Sequence, residues 1–520
     1  MSDQAVLEAL STAAGPENVL TDDESLTLMA SDLHVGGHKP VAVVRPVSSQ
    51  TVADSVAAAV NHGYAVIPRG GGLSYTGGYA SSSPQTVIID LSAMNRIVEI
   101  SKDDLVVTVE AGVTWKQIDN ALRPLGLRLP FFGTFSGAGA TIGGGLSHGA
   151  LFFGSARYGS AAEIVLELEV ALADGTLMKT GQGALEAGSK PFFRGFGPDL
   201  TGLFVHDGGA LGIKTLASLR MIRTPKEEGY ASFAFDDLTS SAKVLSEIAR
   251  SELAEEVYIL DPAAANEVAA APMQSAWAVA RQAGGYLRAI KALASLARGG
   301  SKPLPRGSFS LHMVAAGRTR SAVNNDLDSA ARIALAGGGQ QIAPTVPRVA
   351  RATRFSNLDG VLNADGGRWA ALNAKVAHTD AEKLIAAFEA MIAPYSAEMA
   401  KRGVRLTYLA STLGNQSFSF ETVFHWHDAW LPIHRHHLSQ ERSSVLTEPS
   451  ANPRASALVD DLRQETVSLF QTMGAASNQI GRTYPYLSAL TPGPASLLMG
   501  IKDQLDPKGM INPGVIGFSN

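Results

Sequence analysis

The chain has 520 residues, 43 Lys and Arg against 48 Asp and Glu, a formal charge of −5 and no cysteine. This excludes disulfides, thiolate metal sites, iron–sulfur clusters and cysteine nucleophiles, and the near-neutral balance argues against nucleic acid or an anionic membrane as the main partner. No uncharged apolar stretch reaches the ~18 residues of a membrane span, and the start Met1-Ser2-Asp3-Gln4 lacks a basic-then-apolar leader, so a cytoplasmic protein is expected.

The elements follow from the pattern. Val41–Arg45 reads as a strand, and Ser48 or Ser49 caps a helix over Gln50–Asn61 that Gly63 ends. Ala65–Pro68, Thr86–Leu91 and Leu105–Glu110 read as strands, and Thr114 caps a helix over Trp115–Leu122. Ile164–Leu172 and Ala210–Leu219 are further strands. From Glu227 to Gly300 alanine recurs at helical spacing, and a helical stretch is expected. Gly299–Gly307 then breaks into a loop. A strand at Ser308–Ala315, helices at Arg320–Ala336 and Thr379–Ala390, a strand at Ser417–Phe424 and a helical tail from Ala455 complete a second α+β unit. The expected divisions are 1–225, 226–455 and 456–520.

The 52 glycines are clustered, which marks backbone held close to something or turns with positive φ. Arg69-Gly70-Gly71-Gly72-Leu73-Ser74 follows a strand and suits a nest of N–H groups around an anion, or a tight turn. Gly137-Ala138-Gly139-Ala140-Thr141-Ile142-Gly143-Gly144-Gly145 misses the dinucleotide fingerprint by one residue. Gly145-Leu146-Ser147-His148-Gly149 matches G-x-S-x-G, but glycines stand where a nucleophile elbow needs a strand, so a serine hydrolase is disfavoured. Two glycine loops within 150 residues, with no G-x-x-x-x-G-K-[ST], fit one large cofactor lying along both.

The order of these motifs resembles the flavin-binding domain of the vanillyl-alcohol oxidase and p-cresol methylhydroxylase superfamily. The resemblance is carried by Arg45-Pro46-Val47-Ser48, Pro68 to Gly72, Asp90 to Ile97, Val109 to Thr114, Thr141 to Gly144, Arg157-Tyr158-Gly159, Ala173-Asp174-Gly175, Gly195 to Leu200, Gly202-Leu203-Phe204, Gly212-Ile213-Lys214-Thr215 and Leu505 to Gly514. It implies an α+β chain with a two-part FAD-binding domain closed by the C-terminal tail around a central α+β cap. It also implies FAD contacts from Pro68, Arg69, Gly70, Gly71, Gly72, Leu73, Ser74, Gly77, Thr141, Gly143, Gly144, Ser147, His148, Gly212, Ile213 and Asn512. Leu73 and Gln416–Ser417 stand where such proteins carry flavin-tethering histidines, so non-covalent FAD is expected.

Within the superfamily, the D-lactate and glycolate dehydrogenase-like branch carries metal-binding histidines and a glutamate. Here Ala410, Ser417, Ser477 and Asn478 stand at those positions, so no metal is expected. Met94 to Ile100, Thr180 to Leu185, Arg368-Trp369 and Gly481-Arg482-Thr483 are similar to the 4-phenol-oxidising branch, which is favoured. Ser160 replaces that branch's aspartate and Gly481 its tyrosine. The implied reaction is oxidation of an aromatic or phenolic alcohol, or of a para-substituted phenol, with O₂ or a separate acceptor regenerating the flavin. A metal-free 2-hydroxy-acid dehydrogenase and a flavin-binding protein with a decayed site are the alternatives, and a homodimer is left open.

Alcohol oxidation needs a group to orient the carbon, one to take a proton and one to stabilise developing charge. Arg482 is assigned to the charge. Tyr484 and Tyr486, two apart in extended chain, are candidates to bind a phenolate, to act as base, or to pack. Tyr75 is similar to an active-site tyrosine of the family. Arg368 and Trp369 are assigned to the substrate pocket. His425 and His427 share a face at a strand end and are candidate bases, because imidazole titrates near neutral pH; a solvated loop is the alternative.

Overall fold

A computed structural model describes residues 3–518 apart from 189, 264–304, 306 and 356. The expected helix beyond 263 and most of the Gly299–Gly307 loop lie outside the described residues. Four sheets organise the rest. The first contains β1 (Val19–Leu20), β2 (Ala42–Val44), β3 (Ala65–Arg69) and β4 (Thr86–Asp90) in the order β1-β2-β4-β3, with β2, β4 and β3 parallel. The second contains β5 (Ile97–Ser101), β6 (Val106–Glu110), β8 (Val165–Ala171), β9 (Leu177–Lys179) and β10 (Ile213–Arg220) in the order β5-β6-β10-β8-β9. A third, two-stranded sheet pairs β7 (Leu127–Arg128) with β11 (Ile222–Arg223).

The local chemistry is that expected. Ser48 caps the helix Ser49–Asn61, whose Val52, Val56, Ala59 and Val60 are buried against the first sheet. Thr114 and Gln117 form a capping box on the helix Trp115–Leu122. Residues 510–512 come back to the free edge of β3, where the Val66 N–H donates to the Met510 carbonyl and the Asn512 N–H donates to the Val66 carbonyl. The C-terminal tail therefore closes the first domain, and a two-part first domain with a central cap is the observed fold.

The cap is a seven-stranded antiparallel sheet of β12 (Glu227–Phe235), β13 (Glu256–Leu260), β14 (Phe309–Gly317), β15 (Gln340–Ile342), β16 (Arg368–Ala377), β17 (Arg405–Leu413) and β18 (Ser417–Trp426), in the order β15-β12-β14-β13-β17-β18-β16. This corrects the sequence reading, because β12 and β13 lie where an alanine-rich helical stretch was expected. Only Leu238–Arg250 between them is helical. Ala370, Leu372 and Ala374 of β16 and Phe418, Phe420 and Phe424 of β18 face outward, onto the helices Ala381–Ile392 and Pro453–Thr472. The alternate residues, among them Asn373, Lys375 and Glu421, face the flavin-type domain.

Two histidines locked in this framework give a stability prediction. His312 sits between Ser232 and Ser310, and His434 accepts from the Leu431 N–H and reaches the Leu33 carbonyl. Burial pushes both imidazoles down to about 3. In the unfolded chain they titrate near 6.5, so between that value and about 3 the unfolded state binds more protons. Stability to urea is therefore full above the unfolded pKa and falls on acidification, by roughly 1 kcal/mol per group per pH unit. Urea midpoints measured from pH 7 to pH 4.5 should decline steadily; a flat profile would contradict the neutral assignment.

Candidate active site

The two glycine clusters meet across a cleft with a cavity of about 110 Å³ that opens to solvent. One wall is Pro68–Ser74, the loop leaving β3. The other is built from Thr141, Gly143, Gly144, Gly145, Ser147 and His148, with Gly208, Gly209, Gly212 and Lys214 behind. Close approach requires glycine at position 71, where any Cβ would overlap the Gly139 carbonyl. The N–H groups of Gly71, Gly72 and Leu73 donate to no acceptor among the described residues. Lys214 is paired with Asp207 at 2.7 Å, both buried.

Four buried polar atoms on this lining have no protein partner: Arg69 Nη2, Trp115 Nε1, His148 Nδ1 and Gln479 Oε1. A buried polar group left without a partner costs roughly 1–3 kcal/mol, so a polar ligand running the length of the cleft is what these atoms fit. FAD meets that description. The converging amides of Gly71–Leu73 and the Arg69 guanidinium suit its pyrophosphate. Burial pushes His148 down to about 4, which keeps it a neutral partner there.

Of the residues assigned to the cofactor from sequence, all line this cleft except Gly77, Ile213 and Asn512. Those three brace it. Gly77 donates its N–H to Asp32, Ile213 opens β10 in the buried core, and Asn512 donates to the carbonyls of Gly78 and Gly208 at 2.8 Å each. Ser147 ends the short helix Ile142–Ser147 with no strand before it, so the nucleophile-elbow geometry is absent. Trp115, Tyr79, Lys214 and Gln479 were missed. So was His437 of the cap, a buried imidazole near the Gly71 backbone. Lys214 stood inside the Gly212-Ile213-Lys214-Thr215 motif without being singled out, and the others belonged to no motif.

The catalytic assignments fare less evenly. Arg482 does not have a free guanidinium. Its nitrogens donate to the carbonyls of Gly77, Ala80 and Pro513, with Asn512 Oδ1 at 3.4 Å, so it is a strap between tail and glycine loop. Gly481 beside it has φ +54°, and a Cβ would overlap Thr76, which explains glycine where a tyrosine was expected. Tyr484 is clipped to the edge of β16, accepting from the Asn373 N–H at 2.8 Å and donating to its carbonyl, and burial holds it up at about 12. That disfavours it as a base. Tyr486 is 41% exposed and lies outside the cleft.

Arg368 is likewise structural, bound to Asp428 and the His34 carbonyl and stacked on Trp426. His427 is half-exposed beside Asp365. His425 bonds Thr407 and Asn363, and burial pushes it down to about 4. Neither histidine lines the cleft. Tyr75 and Trp369 do come together, edge to face with centroids 5.3 Å apart. Gln479, which lines the cleft, stands beside Tyr75 and links this aromatic wall to it.

Behind Tyr75 lies a polar group that the sequence did not disclose. Lys375 on β16 donates to Asn373 Oδ1 at 2.7 Å and to Asn478 Oδ1, and Asn478 donates to the Gly149 carbonyl. Glu421 on β18 lies opposite Asn373 in the strand register. Burial pushes Glu421 up to about 7 and Lys375 down to about 7, each countered by the other's charge. The Glu421 carboxylate accepts no hydrogen bond among the described residues. Its charge raises Tyr75 and Tyr484, so all three share one space. No three His, Asp or Glu side chains form a metal-like group among the described residues.

Comparison with known proteins agrees with this geometry. Residues 40–181 match the FAD binding domain family, and FAD is the cofactor of the chain. A D-lactate dehydrogenase (cytochrome) of Saccharomyces cerevisiae is 31% identical over 256 residues, 47% of this chain and 42% of that protein. The chain thus spans under half the length of that relative. Among solved structures, p-cresol methylhydroxylase covers 99% of this chain and 97% of its own at TM-score 0.73 and 18% identity. The 4-ethylphenol oxidase of Gulosibacter chungangensis does the same at TM-score 0.71 and 18% identity. At that identity the likeness is one of fold. No helix among the described residues is long and apolar enough to cross a membrane.

Proposed function

We propose that the protein is an FAD-dependent oxidoreductase that oxidises an aromatic or phenolic alcohol. The observation that carries this is the edge-to-face pair of Tyr75 and Trp369, beside Gln479 of the cofactor cleft. Leu73, Ala371, Val361 and Val423 complete an apolar wall around the pair. Such a wall selects a flat apolar ring, while Gln479 and Tyr75 offer polar atoms to its hydroxyl. FAD, when bound, accepts a hydride at N5. The protein's part is to hold the carbinol carbon in line, exclude water and take the hydroxyl proton.

A second reading, oxidation of a 2-hydroxy acid, is favoured by one observation. Two of the three Lys375 N–H donors are engaged by Asn373 and Asn478, which leaves one for a substrate carboxylate. The printed activity of the yeast relative points the same way. The readings separate in a single anaerobic turnover. Mixed with para-hydroxybenzyl alcohol, the FAD-loaded protein should lose its visible flavin absorbance faster, by about tenfold or more, than with D-lactate; that ratio corresponds to about 1.4 kcal/mol at the transition state. The reverse order would transfer the assignment to 2-hydroxy acids.

A further inference from the structure

Glu421 combines three properties that no structural role explains. It is a carboxylate on the site-facing side of β18, it has no hydrogen-bond donor, and it stands in the same space as an amine. Three buried carboxylates show the contrast. Glu255 is bound by Arg128 and Arg351, Glu110 by Arg96, and Asp506 by Lys502. Lys375 is not within ion-pair distance of Glu421. Its ammonium is held on two amide oxygens, and Asn478 fixes it in turn to the backbone of the flavin domain. Amine and carboxylate therefore stand apart on one sheet face, next to Tyr75.

We propose that Glu421 is the catalytic base of this site, taking the proton of the substrate hydroxyl, and that Lys375 is the positioning residue that keeps Glu421 ionised. This rests on the alcohol-oxidation reading above. In the step, the substrate O–H bond breaks and its proton goes to a Glu421 carboxylate oxygen. The C–H bond breaks with its electron pair leaving as hydride to FAD, and the C–O bond becomes C=O. The substrate loses two electrons, FAD gains them, and Glu421 is left neutral. It returns its proton to solvent before the next turnover.

The groups facing Glu421 are Lys375 from β16, Tyr75 from the glycine loop, and Tyr484 from the tail. Arg463, from the helix Pro453–Thr472, sits beyond the two tyrosines and donates to the carbonyls of Ala371 and Tyr75. Both tyrosines are raised, so they remain hydroxyls across neutral pH. The carboxylate titrating near 7 is matched to general-base work at that pH.

Two measurements on the FAD-loaded protein test the assignment. The first is the anaerobic flavin-reduction rate with para-hydroxybenzyl alcohol and with D-lactate, from pH 5.5 to pH 9. In the wild type it should rise through an inflection near 7. In Glu421→Gln it should fall about a hundredfold or more with the inflection gone, and Glu421→Asp should restore part of it. In Lys375→Met the inflection should move up by about one unit or more, because the carboxylate loses its neighbouring cation. The second is an infrared pH titration, which needs no substrate. A protonated-carboxyl band should vanish near pH 7 in the wild type and be missing from Glu421→Gln. Glu421→Gln within threefold of the wild type, or an infrared band that survives in it, would overturn the assignment. Should Glu421→Gln not hold FAD, the infrared titration of the wild type and the Lys375→Met shift decide instead; no band or no shift would overturn it. A wild type that no alcohol or hydroxy acid reduces would overturn the oxidation reading and the base role with it, even where the infrared titration is as expected.

Discussion

Gly71→Val should strip the protein of FAD. A Cβ at this position overlaps the Gly139 carbonyl, so the loop leaving β3 must back away from the second glycine cluster. That withdraws the N–H groups of Gly71, Gly72 and Leu73, which have no other partner among the described residues. Hydrogen bonds to a charged group contribute about 1.5–3 kcal/mol each, so losing two weakens binding by about a hundredfold to ten-thousandfold. Purified G71V protein after gel filtration should carry less than about a tenth of the wild-type flavin per chain. The substitution lies outside the cap, so Arg351-dependent stability should be kept. A full flavin complement in G71V would contradict the placement of the cofactor.

Arg351→Met should destabilise the junction between flavin domain and cap by about 3–5 kcal/mol, read from urea unfolding. Arg351 is buried and bonds Glu228 at 2.8 Å, Glu255 at 2.7 Å and also Glu256. Its guanidinium stacks over the Phe132 ring at 4.5 Å, beside Arg128, which is itself bonded to Glu255 at 2.6 Å. Phe132 and Arg128 belong to the flavin domain, and the three glutamates to the cap. Burial already pushes Glu256 up to about 7, with Glu255 and Glu228 repelling it and Arg351 opposing the rise. Without Arg351, three carboxylates face one another with Arg128 as the nearest compensation. The exposed pair Lys243–Glu382 is the control, and Lys243→Ala should cost less than about 1 kcal/mol. Equal effects of the two substitutions would contradict the junction's role.

The flavin domain was legible because its signals are local. Glycine clusters, Ser48 and Thr114 caps and short Val/Ile strands each act within a few residues of where they are read. The cap was not. β16 reads Arg-Trp-Ala-Ala-Leu-Asn-Ala-Lys-Val-Ala, rich in helix formers, yet it pairs over ten positions with β18. Pairing and one-sided burial override the alanine preference there. β12 and β13 carry Tyr, Phe, Val and Ile of their own, and that strand signal was masked by the alanine-rich sequence around them. Lys375 and Glu421 were invisible because strand register, not sequence spacing, brings them together. Arg482 shows the opposite failure: the residue was found, but only the fold reveals that backbone carbonyls use up its donors.

The measurement that bears most directly on the whole account is the flavin released on acid denaturation of the purified, FAD-incubated protein. Leu73 stands beside the cleft where a tether would be, and four partnerless polar atoms line it. The account predicts one FAD per chain, recovered in the supernatant. Protein that retains no flavin, or flavin that stays with the precipitate, would contradict it.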